Sequence, residues 1–335
     1  MITETKQIWN RGAGGVRAPR AAMGDYSLIL WATVALLAVT MSSGVLTAAS
    51  LLSLLPFASI LAVAAVGQTL VVQQRGLDFS VAGVFSLSTI IVTVMPSRPG
   101  VGILGSIVLA LAGAAFIGWA TGIAVTRFGI TPLIATLGSN ALLLGVCHTI
   151  SGGSPTRAPN MLTAFASARP LGVPTTLIFA MLVIGIAAWL FRRSTFGKRT
   201  TLVGANPLTS HATGFPVRRY QVGAYILAAV CYCVAGILFA GYVGTPPTDS
   251  GDAYLLATVT AVVLGGTPLT GGRASIVATA IGALFITSLG QTVLALGAPP
   301  SVQLLVQGAA IAVAMTLRLI PFDRLRIRKS EPVPG

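Results

Sequence analysis

Few residues of this chain have side chains suited to catalysis or ligand chemistry. One carboxylate, Asp78, lies between two apolar segments in the motif GLDFS at residues 76–80. A carboxylate this close to membrane-like segments is costly to bury and is usually functional, so direct contact with a substrate is one interpretation. The other is that Asp78 caps the following helix, because a negative charge favours a helix N-terminus.

The remaining reactive residues are scattered. His148 and His211 are far apart in the sequence and on opposite predicted sides of a membrane, so they cannot form a metal pair or an acid–base couple. Cys147, Cys231 and Cys233 fall in or beside apolar runs and lack the second pair that a zinc site needs. No nucleophile, base and orienting group occur together, so we expect neither an enzyme nor a metal site.

A glycine-rich stretch, GGTPLTGGR at residues 265–273, superficially resembles a phosphate-binding loop. It lacks the spacing G-x-x-x-x-G-K-[ST], so we expect no nucleotide site in this chain. We interpret it as a tight re-entrant turn in which glycines let backbone segments approach closely. The expected turn residues are Gly265, Gly266, Gly271 and Gly272.

The composition indicates a membrane protein. Of the 335 residues, 54% are hydrophobic and 8% are charged, far below the charged content of about 25% in soluble domains. The net charge of +14 could indicate nucleic acid, but the basic residues lie between apolar runs instead of on one soluble face. We therefore expect no nucleic-acid partner and interpret the charge as a topology signal.

Hydropathy predicts about ten transmembrane helices, near residues 26–46, 51–72, 80–95, 101–125, 131–150, 174–191, 220–242, 255–264, 276–296 and 301–320. With the N-terminus inside, all but Arg98, Arg157 and Arg169 of the 21 basic residues face the cytoplasm. We expect cytoplasmic tails at residues 1–25 and 321–335, and a transmembrane domain at residues 26–320.

The third and eighth predicted spans are short, and each borders a glycine-bearing break. These spans take equivalent positions if the chain consists of two inverted five-helix halves, which is the all-α polytopic fold that we predict. Short or broken helices at matching positions favour a translocation path at the interface between the halves. Small polar side chains suit a neutral cargo, and the expected path residues are Asp78, Ser80, Ser86, Thr136, Asn140 and Gln291.

One long polar interval, residues 192–219, separates the halves and contains six basic residues and no acidic one. Asn206 can cap a helix that starts at Pro207, and Gly214 suits the left-handed position after its last turn. Apolar residues of this helix should be covered by a partner protein, although a helix packed only on its own chain is the alternative. The expected contact residues are Asn206, Pro207, Leu208, His211, Ala212, Gly214 and Phe215.

Four motifs together resemble the permeases of ribose-type ABC sugar importers, over residues 51–319. They are GLDFSVAGVFSLS (76–88), FGITPLIATLGS (128–139), GANPLTSHATGFPV (204–217) and AVVLGGTPLTGGRASIVATAIGAL (261–284). The chain departs from the family pattern at Pro207, Pro268 and Ala274, where Glu, Ser and Gly are usual.

The resemblance implies a permease subunit in a bacterial cytoplasmic (inner) membrane that carries a monosaccharide or related polyol. Its implied partners are a second permease copy or paralogue, two cytoplasmic ABC ATPase domains and an extracytoplasmic sugar-binding protein, with membrane lipid around the spans. ATP and Mg²⁺ would bind to the ATPase, and residues 206–215 would contact it. The alternatives are an ABC permease for branched-chain amino acids or nucleosides, and an ion-coupled secondary transporter, which the shortage of embedded acids disfavours.

Overall fold

The computed structural model describes residues 25–45 and 47–319, and all regular structure within these ranges is helical. The predicted cytoplasmic tails therefore lie outside the described residues, apart from Asp25. The α-helices are α1 Asp25–Ser42, α2 Ala48–Gln73, α3 Val81–Val94, α4 Gly102–Thr126, α5 Pro132–Ser151, α6 Asn160–Ser167, α7 Thr175–Arg193, α8 Thr195–Ala205, α9 Pro207–Ala212, α10 Val217–Val243, α11 Asp252–Leu264, α12 Ile276–Ala295 and α13 Pro300–Leu319.

Ten of these helices lie at the positions of the predicted spans. Six of them, α2, α4, α5, α7, α10 and α12, are long and apolar enough to cross a membrane. The other four, α1, α3, α11 and α13, are shorter apolar helices. The class of an all-helical polytopic membrane protein is therefore confirmed. That all ten cross the membrane stays a prediction.

Helices α2 and α10 pack on each other at the centre of the bundle. In their most apolar stretches 61% and 56% of the residues are buried, compared with 11% in α7. Around this pair, α2 packs against α11 and α12, whereas α10 packs against α3 and α4. The contacts of α2 with the second half of the chain thus mirror those of α10 with the first half.

Glycines allow the central helices to approach closely. A Cβ added to Gly67 on α2 would lie 2.7 Å from the carbonyl oxygen of Ala228 on α10. One added to Gly118 on α4 would lie 2.6 Å from the carbonyl oxygen of Tyr225, also on α10. Because real Cβ atoms do not approach this closely, these helix pairs depend on glycine, as is common for helices packed in membranes.

Helices α3 and α11 are short, with 14 and 13 residues. A helix of this length extends about 20 Å, whereas the hydrocarbon core is about 30 Å thick. Both begin after an irregular segment, at the N-cap residues Ser80 and Gly251. The segment before α11 contacts α3, because the N–H of Gly251 donates to Ser86 Oγ at 2.9 Å.

Two helices were not expected from the sequence. Helix α6 lies in the predicted outer segment, where Leu162 and Ala166 are buried and the helix packs on α10. Helix α8 lies in the central polar interval, and its N-cap Ser194 accepts a hydrogen bond from the N–H of Gly197 at 3.0 Å. Hydropathy does not predict these two helices because they are short and only weakly apolar. Packing stabilises α6, and capping stabilises α8.

Candidate functional site

The central polar interval forms a helix pair, α8 and α9, and α9 has the predicted boundaries. Asn206 Oδ1 accepts a hydrogen bond from the N–H of Thr209 at 3.1 Å, so Asn206 is the N-cap and Pro207 is the first helical residue. Gly214 follows the helix with a left-handed φ of 83°. Its N–H donates to the carbonyl oxygen of His211 at 3.0 Å. The short helix that the sequence predicts is therefore present.

The surface of α9 exposes apolar side chains. Leu208 is 84% exposed, and Ala212, four residues later on the same face, is also exposed. Phe215 is half-buried, and the guanidinium carbon of Arg199 lies 5.5 Å from the centroid of its ring. The exposed apolar surface therefore centres on Leu208, while Phe215 is partly covered by its own chain.

A set of hydrogen bonds attaches α8 to the end of α2. Gln74 Nε2 donates to the carbonyl oxygen of Thr200 at 2.8 Å. Arg75 Nε donates to the carbonyl oxygen of Gly204 at 2.9 Å, and a terminal nitrogen of Arg75 donates to that of Ala205. Arg75 has a left-handed φ of 67°, which is uncommon for a residue with a side chain. These bonds hold it in that conformation.

The glycine-rich loop completes this contact. The N–H of Gly272 donates to the carbonyl oxygen of Gln73 at 2.9 Å. A Cβ added to Gly271 would lie 2.4 Å from Cγ of Arg75, and one added to Gly204 would lie 2.0 Å from the carbonyl oxygen of Gln73. We call residues 73–75, 200–205 and 271–272 the junction. It joins the base of α9 to α2 and to the loop between α11 and α12.

The other two expected turn glycines lie at the beginning of the same loop. Gly266 has a left-handed φ of 89°, which a residue with a side chain rarely adopts. A Cβ added to Gly265 would lie 2.6 Å from the backbone nitrogen and Cα of Thr279 on α12. The loop thus turns sharply against α12, and whether it re-enters the membrane stays a prediction.

Asp78 belongs to a buried polar cluster at the beginning of α3. Its Oδ1 accepts hydrogen bonds from the N–H and the hydroxyl of Ser80, at 3.0 and 2.5 Å. With the Gln68 amide nitrogen directed toward Asp78, that nitrogen donates to the Asp78 carbonyl oxygen at 3.0 Å and to the Tyr232 hydroxyl at 2.8 Å. Asp78 therefore binds Ser80, the N-cap residue of α3, and is not itself the N-cap. Direct contact with a substrate stays a prediction.

The environment of Asp78 opposes its charge. The residue lies in the segment between α2 and α3, and burial raises the pKa of its carboxyl to about 6. The hydrogen bonds from Ser80 act in the opposite direction because they favour the ionised form. Arg75 does not neutralise the carboxylate, since its guanidinium contacts the carbonyl oxygens of the junction instead.

The other expected path residues are only partly brought together. Thr136 on α5 is buried, with its Oγ1 3.5 Å from the carbonyl oxygen of Leu77. Asn140, one turn later, has a buried amide oxygen without a hydrogen-bond partner among the described residues. Ser86 lies farther along α3, fully buried against Gly251, and Gln291 lies on α12. The structure therefore groups Asp78, Ser80, Thr136 and Asn140 near the beginning of α3 and leaves Ser86 and Gln291 apart.

The sequence pattern did not predict the contacts of the junction. Its donors are long side chains and its acceptors are mostly main-chain carbonyl oxygens, which any residue supplies. The GANP and GGTPLTGGR motifs contain Gly204, Gly271 and Gly272. These motifs mark the residues but do not show that they contact one another.

Within residues 25–45 and 47–319, the long apolar helices and the exposed helix of the central polar interval are those of a polytopic membrane protein. A family model described as "Branched-chain amino acid transport system / permease component" matches residues 50–315. The chain belongs to this family of ABC transporter permeases. It is a transport component and not an enzyme.

Curated relatives support the same assignment. The ribose import permease protein RbsC of Escherichia coli K12 is 32% identical over 301 residues, covering 88% of this chain and 92% of the relative. RbsC of Bacillus subtilis 168 is 31% identical over 271 residues, 80% of this chain and 84% of the relative. The autoinducer 2 import system permease protein LsrD of Photorhabdus temperata is 31% identical over 269 residues, 78% and 80% of the two chains. No solved structure matches the chain. The resemblance to ribose-type ABC permeases is therefore confirmed.

Proposed function

We propose that this chain forms the membrane path of an ABC importer for a monosaccharide or a related polyol, delivered by an extracytoplasmic sugar-binding protein. The observation that carries this proposal is the similarity to a ribose import permease over 88% of the chain. Relatives of nearly equal identity are named for autoinducer 2, so identity alone does not select one cargo.

The polar side chains of the bundle suit a neutral cargo. Hydroxyl and amide groups, such as Thr136 and Asn140, lie near the beginning of α3, and the carboxylate there is engaged with Ser80. A zwitterionic amino acid is generally bound by one positively and one negatively charged group. The expected path residues include no basic side chain. Weak hydrogen bonds from neutral groups also permit release, which a transport path requires.

Energy for transport would come from two cytoplasmic ATPase domains that bind ATP and Mg²⁺ and contact α9. This proposal is supported by the exposure of Leu208, which leaves an apolar side chain at a place where water is expected. It is also supported by the junction, because a force applied to α9 is carried by hydrogen bonds and backbone contacts to α2 and to the loop before α12. A second copy of this chain or a paralogue would complete the path.

The proposed membrane arrangement has ten spans in two inverted five-helix halves. Supporting it, α2 and α10 occupy the second position of each half and have mirrored contacts, and the short helices α3 and α11 occupy the third. Both termini and residues 192–219 would face the cytoplasm, because this orientation places most basic residues inside a bacterial inner membrane.

The experiment is an uptake assay with labelled ribose, a hexose, autoinducer 2, leucine and adenosine in cells that express the complete importer. We expect saturable uptake of a sugar that depends on the binding protein, and no uptake of leucine or adenosine. Asn140→Ala should change the uptake rate more than the order of preference among cargoes. Uptake of leucine or adenosine without any sugar uptake would refute the proposed cargo class.

A further inference from the structure

An open groove of about 520 Å³ lies on the outside of the bundle between α4 and α10. It combines a basic end with apolar walls and belongs neither to the junction nor to the polar cluster around Asp78. We call it the basic groove. The lining residues that matter here are Trp119, Ile123, Arg127, Arg218, Arg219 and Ile226.

The basic end of the groove holds three arginines. Arg127 is the C-cap of α4, and Arg218 and Arg219 are the second and third residues of α10. Within the described part of the chain none of their side chains makes a hydrogen bond or an ion pair, and no acidic residue lines the groove. The N-terminus of α10 carries a positive partial charge of its own, so the dipole disfavours two cations there and favours an added anion.

The walls of the groove are apolar and run away from the arginines along both helices. Ile123 lies one turn from Arg127 on α4, and Trp119, which is 48% exposed, lies about two turns away. On α10, Ile226 lies about two turns from Arg219. One end of the groove therefore suits an anionic group, and the adjoining length of about 10 Å suits a hydrocarbon chain.

The groove is already formed by the packing of its two helices. A Cβ added to Gly118 would lie 2.8 Å from Cα of Ile226, and one added to Gly122 would lie 3.0 Å from Cα of Val222. These glycines fix the separation of α4 and α10 beside the groove. The helix backbones that form the walls of the groove are therefore in place before a ligand enters, which lowers the cost of binding.

We propose that the basic groove binds an anionic phospholipid, with its phosphate between the three arginines and an acyl chain along Trp119 and Ile226. Charge complementarity selects this occupant, because basic pockets between membrane helices attract anionic head groups and the apolar walls require an attached hydrocarbon chain. The bound lipid would hold the first turn of α10, which is joined to α9 by the short segment 213–216. The proposal concerns the lipid alone and does not depend on which cargo the chain transports.

The test uses the full-length purified chain in a neutral detergent with added phosphatidylglycerol or, as the zwitterionic comparison, phosphatidylcholine of the same acyl chains. Native mass spectrometry counts bound lipids, and thermal unfolding measures the stabilisation that binding gives. The main variant is Arg127→Gln/Arg218→Gln/Arg219→Gln, which removes charge and keeps hydrogen-bonding side chains. The matched control is Arg192→Gln/Arg193→Gln, which removes two exposed cytoplasmic arginines outside the groove.

We expect phosphatidylglycerol to bind more tightly than phosphatidylcholine and to raise the unfolding temperature further, with the difference shrinking at high salt. The triple variant should bind phosphatidylglycerol roughly a hundredfold more weakly, since each basic residue near an anionic head group contributes about fivefold. The control variant should bind as the natural chain does. Arg218→Gln alone should weaken phosphatidylglycerol binding about fivefold. This single variant still tests the proposal if the triple variant does not fold.

Four outcomes would overturn the proposal. The first is equal binding of the two lipids by the natural chain. The second is unchanged phosphatidylglycerol binding by Arg218→Gln and the triple variant. The third is full stabilisation by inorganic phosphate alone, which would show a site for a free anion and not for a lipid. If an ATPase subunit shields these arginines while neither lipid binds, the groove is a protein contact and the proposal is likewise wrong.

Discussion

Replacing Gly204 by alanine should break the junction that holds α8 to α2. The added Cβ would lie 2.0 Å from the carbonyl oxygen of Gln73 and 3.2 Å from the nitrogen of Gly272. Both neighbours are backbone atoms that a side-chain rotation cannot move. The end of α2 and the end of α8 must therefore separate by about 1.4 Å to reach ordinary van der Waals distance.

The size of the effect follows from the contacts that this separation disturbs. Overpacking a tight site typically costs about 1–3 kcal/mol. The same displacement weakens the bonds from Arg75 to Gly204 and from Gly272 to Gln73, both 2.9 Å long, at about 1 kcal/mol each. The better helix propensity of alanine offsets about 1 kcal/mol. The net loss of folding free energy should be about 2–4 kcal/mol.

The assay is thermal unfolding of the purified chain, with Gly185→Ala as the matched control. Gly185 is in the interior of α7, where an added Cβ meets nothing within 4 Å. The control should unfold at the natural temperature or slightly above it, because alanine favours the helix. Gly204→Ala should unfold several degrees lower. If the two variants unfold at the same temperature, the junction does not stabilise the fold and the packing argument is wrong.

Two further predictions concern the cytoplasmic face. Cysteines at the exposed positions Ser154 and Thr245 should react with a membrane-impermeant reagent added outside intact cells, and a cysteine at the exposed Thr209 should not. Labelling of Thr209→Cys from outside would contradict the ten-span topology. Leu208→Glu should lower co-purification of the ATPase at least tenfold, because a charge in a desolvated contact costs several kcal/mol. Leu171→Glu, at an exposed position on the predicted outer side, should leave co-purification of the ATPase unchanged. Equal co-purification with both variants would show that α9 does not contact the ATPase.

The membrane helices could be predicted from the sequence because hydropathy alone determines where they lie. The predicted span at residues 276–296 is α12, Ile276–Ala295, and the predicted span at residues 220–242 is α10, Val217–Val243. The short helix after Asn206 was also predictable, since capping residues and glycine act locally. Helices α6 and α8 were not, because neither is apolar enough to stand out.

The candidate sites were less predictable because they depend on distant contacts. Arg75 binds carbonyl oxygens 129 and 130 residues away in the sequence, and no side-chain pattern marks main-chain acceptors. Ser86 was expected along the path, which stays a prediction; its hydrogen bond from the backbone of Gly251, 165 residues away in the sequence, could not be predicted. Phe215 was expected among the partner-contact residues; in the structure it is half-buried, and Arg199 lies over its ring.

The most direct test of the proposed function is sugar accumulation in proteoliposomes that contain this chain with its ATPase, supplied with labelled ribose and the sugar-binding protein. We predict that labelled sugar accumulates only when ATP and Mg²⁺ reach the ATPase and the binding protein is present on the opposite side. Accumulation that needs no ATP and follows a proton or sodium gradient would contradict the account and indicate a secondary transporter.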